Sequence, residues 1–146
     1  MAIRFGGEFR AGKPQEEVYG FLTDPSRFAP LLPDFESVTV HDARRATVNL
    51  RVGISHIRGT ASMQLELTEA ERPRRAAYSG KGSAPGGSVT LSAGFDLQPA
   101  NGGTSVRWNG EAQFYGKLVS LAAGLIEPLA RKNLQKLIDA LEAALR

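Results

Sequence analysis

The residues equipped for chemistry in this sequence are few and scattered. Its two histidines, His41 and His56, stand in a polar strand end and in a turn. Neither has a second ligand at the i,i+4 spacing of a helix or the His-x-His spacing of a strand, so both read as solvated side chains and not as a metal pair. Cysteine is absent, which excludes thiol nucleophiles, disulfides and cysteine metal sites and fits a reducing cytoplasm. No G-x-S-x-G, P-loop or G-x-G-x-x-G occurs. Gly80-Lys81-Gly82 resembles a phosphate loop only superficially, because no strand-loop-helix context follows it, and it reads as a turn. General acid–base catalysis needs a carboxylate or histidine inside a pocket. Here Glu66, Asp96 and Glu111 fall out of phase with the apolar strand faces. Glu36 would reach a cavity mouth if the 33–37 segment folded over it, and Tyr78, Ser79 and Trp108 are the remaining polar candidates. No catalytic set and no cofactor are expected.

The charges are uneven. Arg44, Arg45, Arg51 and Arg58 have no acid among them, nor do Arg72, Arg74, Arg75 and Lys81. Both groups read as the solvated outer face of a sheet, and no nucleic-acid partner is expected. Arg131, Lys132 and Lys136 cluster near the C-terminus, with Glu127 one turn before Arg131. This is either a solvated helix face or a contact surface for an acidic partner or lipid headgroups.

The elements that would position these groups are legible in the periodicity. From Gly116 to Arg146 the chain reads as one amphipathic helix, with Leu118, Leu121, Ala122, Leu125 and Leu129 in one stripe. Leu134, Leu137, Ile138, Leu141 and Leu145 form a second. Between the stripes lie Gly124 and Pro128, and a proline inside a helix predicts a kink there. Ile3 to Arg10 reads as a first strand. Pro14, with Glu16 and Glu17 after it, opens a short helix, and Asp24-Pro25 opens another. The middle alternates with period two: Val48, Leu50 and Val52; Met63, Leu65 and Leu67; Val89 through Leu97; Val106 through Phe114. Asn101-Gly102-Gly103 is a hairpin signal, and residues 80–87 read as a looser Gly/Pro-rich turn.

The expected class is α+β: a curved antiparallel sheet wrapped around a long C-terminal helix, in one domain over residues 1–146. Gly59, Ala61, Ala93, Gly110 and Ala112 occupy inward phases. Such small residues either let the helix approach closely or leave a void. No run of about 18 apolar residues is present, so no transmembrane helix is expected. The segment MAIRFGGEFR carries charges too early for a signal peptide.

The series VYGFLTDPSRFAPLLPDFESV, then VGISHIRGT, then GGTSVRWNGEAQFYGKL, running into Ala130-Arg131-Lys132, resembles the carbon monoxide dehydrogenase G-subunit (CoxG) family of the START/Bet v 1-like (SRPBCC) superfamily. The resemblance implies a helix-grip domain with seven antiparallel strands, two short helices after the first strand and a hydrophobic cavity closed by the last helix. It also implies association with a molybdenum hydroxylase of the carbon monoxide dehydrogenase kind, as a membrane link or as carrier of a quinone-like lipid. Many relatives extend into a tail with an apolar anchor, whereas this sequence stops at Arg146. Phe35, where relatives often carry a small residue or cysteine, is expected to narrow the pocket mouth.

The expectation is therefore a non-catalytic binding protein for a hydrophobic small molecule, cytoplasmic or peripheral at the inner membrane face. The residues expected to line its cavity are Leu50, Gly59, Ala61, Met63, Tyr78, Ala93, Phe95, Trp108, Gly110, Ala112, Leu121, Leu125 and Leu129. The alternatives are an accessory module docking to a partner enzyme through Arg131, Lys132 and Lys136, and a polyketide cyclase- or dehydratase-like enzyme using Tyr78 or Glu36.

Overall fold

The architecture is taken from a computed structural model, which describes residues 1–54 and 56–146. Ser55, within the VGISHIRGT stretch, lies outside the described residues. Strand β1 (Ala2–Ala11) leads into helix α1 (Gln15–Leu22), the one-turn helix α2 (Pro25–Phe28) and a 3-10 turn (Ala29–Leu31). Strands β2 (Phe35–Val40), β3 (Arg45–Ile54), β4 (Ile57–Glu71), β5 (Arg75–Ala84), β6 (Gly87–Ala100) and β7 (Gly103–Tyr115) follow, and helix α3 (Lys117–Ala144) ends the chain. All seven strands pair antiparallel in the order β1-β7-β6-β5-β4-β3-β2.

Local chemistry accounts for the boundaries. Asp24 caps α2, its Oδ1 accepting from the Ser26 backbone N–H at 3.0 Å and from the Ser26 hydroxyl at 2.6 Å, with Pro25 at the first helical position. Asn101 and Gly102 both have positive φ (46° and 84°) between β6 and β7, the two-residue hairpin geometry that asparagine and glycine favour. Pro85-Gly86 turns β5 into β6, with Gly86 at φ 82°.

That last turn corrects the reading of residues 80–87. Gly80-Lys81-Gly82 is not a turn: it lies inside β5 and pairs with β4 and β6. Its glycines answer crowding. A Cβ at Gly82 would sit 2.0 Å from the Ser62 carbonyl oxygen, and one at Gly80 would sit 3.0 Å from carbons of Leu65 and Leu91.

Both ends of α3 are tied to the sheet. The Leu118 N–H donates to the Gly86 carbonyl at 2.7 Å, and the Gly12 N–H donates to the Leu145 carbonyl at 2.7 Å. The helix breaks, but not at Gly124 or Pro128: the residue with non-helical angles is Ala122 (φ −135°, ψ 19°). The face turned to the sheet follows i, i+4 spacing and not the leucine stripe. Seven residues make almost two turns, so in an unbroken helix Leu125 would lie within about 20° of Leu118 around the axis. Instead Leu118, Ala122 and Ile126 are buried, while Leu121 and Leu125 are 68% and 51% exposed.

The core is divided in two. One cluster joins α1 and the C-terminal half of α3 to Phe9, Leu67, Ala76, Tyr78, Leu97 and Val106. The other joins Leu118, Ala122 and Ile126 to Ile3, with Phe5, Ile54, Ile57, Ala84 and Phe114 packed on it.

Candidate ligand cavity

Between the two clusters the inner face of the sheet is only partly covered. Register fixes this band: Phe5 faces Gly110, Gly110 faces Ala93, Ala112 faces Leu91, and Ala61 faces Leu50. Leu50, Ala61, Met63, Leu91, Ala93, Phe95, Trp108, Gly110 and Ala112 are all partly buried inner-face positions. Most of the expected lining residues therefore share one surface. Gly59 stands exposed at the end of β4 with Pro85 against it, since a Cβ there would lie 2.9 Å from Pro85 Cγ. Leu129 is partly buried on α3.

Three assignments change. Leu121 and Leu125 point to solvent and do not line the grip; Leu118, Ala122 and Ile126, four residues apart, form the inward face. Tyr78 is packed core: it is buried, its ring meets Phe28 edge-on at 5.7 Å, and its hydroxyl donates to the Leu22 carbonyl at 3.1 Å. Burial, with Asp24 nearby, raises its pKa well above the ordinary 10. The neutral phenol is thus the folded form, and the stability this confers is intact below pH 10 and lost as pH rises beyond it. Tyr78→Phe should cost about 1 kcal/mol at neutral pH and flatten the loss of stability above pH 10, as read by chemical denaturation across that range.

Glu36 does not reach this inner band. It is the extra residue of a bulge between Phe35 and Ser37, is exposed, and accepts from the Thr60 hydroxyl at 3.0 Å. Among the described residues, Tyr78 is the only titratable side chain at an inner sheet position. Small inner residues do not always leave space: Leu65, Leu91 and Met63 close over Gly80.

Trp108 differs from every other buried polar group. Its Nε1 is closed off from solvent and, among the described residues, is the only buried side-chain nitrogen or oxygen without a hydrogen-bond partner. An orphaned buried donor costs on the order of 1–3 kcal/mol. The indole lies across Gly7 of β1, where a Cβ would stand 2.9 Å from Cζ2 and 3.3 Å from Nε1. Gly7 was not legible as a site residue from sequence; its only signal is a Gly6-Gly7 pair inside an otherwise bulky strand.

On the outer face, a wide depression of about 750 Å³ is lined by residues including His41, Asp42, Arg45, Gln64, Glu66 and Lys81. Two of its polar groups are engaged. His41 Nε2 meets the Thr47 hydroxyl at 2.7 Å, and Asp42 Oδ1 accepts from the backbone N–H groups of Arg44 and Arg45. Those backbone hydrogen bonds, that of Arg44 foremost, hold the Asp42 pKa below its ordinary value. His56 is exposed in the β3–β4 turn. On α3, Arg131 is engaged by Glu127 at 2.8 Å and stacks on the Phe5 ring at 5.5 Å, whereas Lys132 and Lys136 are exposed. Among the described residues no helix is long and apolar enough to cross a membrane.

A seven-stranded antiparallel sheet gripping a long C-terminal helix, with an apolar band between them, defines a START/Bet v 1-like helix-grip domain. Within that class, residues 7–146 match the model of the carbon monoxide dehydrogenase G-subunit (CoxG), and the chain belongs to that family. Among solved structures, a conserved protein from Geobacillus kaustophilus superposes with a TM-score of 0.84 at 19% identity, covering 98% of this chain and 95% of that one. The Zhui aromatase/cyclase from Streptomyces sp. R1128 gives 0.72 at 16% identity, over 99% and 94% of the two chains. A START superfamily protein from Mycobacterium smegmatis gives 0.72 at 9% identity, over 97% and 96%. At these identities the likeness is one of fold. No curated protein matches the sequence.

Proposed function

We propose that this protein is a non-catalytic carrier of a hydrophobic, quinone- or lipid-like small molecule, serving a molybdenum hydroxylase of the carbon monoxide dehydrogenase kind. The observation that carries the reading is the inner band: apolar, partly covered, and bordered, among the described residues, by a single titratable group whose proton is already committed. Burying an acyl or prenyl chain there contributes about 0.8 kcal/mol per CH₂ before ordering costs, enough for micromolar binding without polar contacts. Such a carrier would work in the cytoplasm and collect its cargo at the inner membrane face. Family membership supports the partner enzyme. Lys132 and Lys136 remain available as a docking surface for it, more so than the already paired Arg131.

The likeness to an aromatase/cyclase raises an enzymatic reading, for which Tyr78 is the inner acid. Its hydroxyl already donates to Leu22, which leaves that reading the weaker one. The test is native mass spectrometry on protein purified from its own host, with solvent extraction of what is bound. One apolar molecule per chain is expected. A clean apo mass that is unchanged after incubation with 2-undecyl-1,4-naphthoquinone and host lipid extract overturns the carrier.

A further inference from the structure

We infer that Trp108 selects the cargo: its indole N–H donates to a carbonyl-type oxygen of a neutral apolar ligand held in the grip, an assignment that rests on the carrier reading. The fold supplies partners for its other buried polar side chains. The Tyr78 hydroxyl donates to Leu22, the Thr104 hydroxyl donates to the Lys13 carbonyl at 2.8 Å, and the Gln15 amide donates to Pro73 and Leu97. Among the described residues, only the Trp108 Nε1 is left over. It lies on the inner face, in register with Gly7 on one side and Phe95 on the other, neither of which offers a side-chain acceptor.

Solvent does not reach Nε1 in the closed grip, so the donor is paired only when a molecule enters and parts the apolar side chains around it. Indole nitrogen is a donor and never an acceptor. It therefore rewards a ketone, quinone, ester or amide oxygen and gives nothing to a plain hydrocarbon. A carboxylate is disfavoured, because among the described residues no lysine, arginine or histidine stands at an inner sheet position and Arg131, stacked on Phe5, is paired with Glu127. The ligand class narrows to neutral molecules with an apolar body and a carbonyl-type acceptor.

The chain has a single tryptophan, so ¹⁵N-labelled protein gives a single indole N–H cross-peak. Two probes of like shape separate the cases: 2-undecyl-1,4-naphthoquinone, with acceptors, and 2-undecylnaphthalene, without. The naphthoquinone is expected to move the indole proton downfield, while the hydrocarbon binds without that shift. Trp108→Phe should weaken naphthoquinone binding by roughly 5- to 20-fold more than it weakens hydrocarbon binding. If both probes bind and the cross-peak responds equally to them, or if a folded Trp108→Phe protein keeps wild-type affinity for both, the donor role is overturned while the carrier stands. If neither probe binds the wild-type protein, the carrier reading fails and takes this assignment with it. The cross-peak is read on wild-type protein, so the test survives a variant that does not fold.

Discussion

Ala112→Trp is expected to abolish uptake of 2-undecyl-1,4-naphthoquinone and leave the fold standing. Ala112 lies on the inner face of β7, between Ile3 of β1 and Leu91 of β6 in register, where the second core cluster gives way to the partly covered band. An indole there would occupy the space the cargo needs. Overpacking a well-filled core costs about 1–3 kcal/mol. A domain of this size holds roughly 5–15 kcal/mol of stability, so even the full cost leaves it folded. The melting temperature should fall by no more than about 10 °C, and by less if the indole enters unfilled space. Equilibrium dialysis against the naphthoquinone, beside a thermal melt, reads both effects. A folded variant with wild-type uptake removes Ala112 from the cavity wall.

The position of Ala112 was legible in the sequence because alternation is a strong signal wherever inner residues are large and outer ones polar. Val106 to Phe114 alternates cleanly, and register then places Gly110 and Ala112 beside Ala93 and Leu91. The same signal failed at residues 80–84. There the inner positions are Gly80, Gly82 and Ala84, too small to show alternation, and glycine beside Pro85 mimics a loop. The reason for those glycines is a neighbour's bulk: the Ser62 carbonyl and the side chains of Leu65, Leu91 and Met63. Sequence periodicity cannot report an atom contributed by another strand. The unpaired Trp108 nitrogen was hidden for the same reason, since a missing partner is a property of everything around it. Glu36 turned outward because a bulge flips the phase of its strand, and a bulge leaves little trace in six residues.

The phase of α3 is the sharpest case, and it yields the second large effect: Ile126→Ala should cost about 2–4 kcal/mol, whereas Leu125→Ala should stay within about 0.5 kcal/mol. Helical spacing favours the opposite outcome, because Leu118, Leu121, Leu125 and Leu129 form the better leucine stripe. The i, i+4 face decides between them. The bond from the Leu118 N–H to Gly86 holds Leu118 against the sheet, and Ala122 and Ile126, four and eight residues on along that side, are buried with it, Ile126 at 3% exposure. Removing three carbons from Ile126 opens a cavity in the smaller of the two clusters, where few neighbours can close it. Removing the Leu125 side chain trims a half-exposed surface, and alanine's better helix propensity offsets part of that loss. Urea denaturation of the two variants side by side measures the difference. Equal destabilisation by both would mean that Leu125 also faces the sheet and is restored to the lining of the grip.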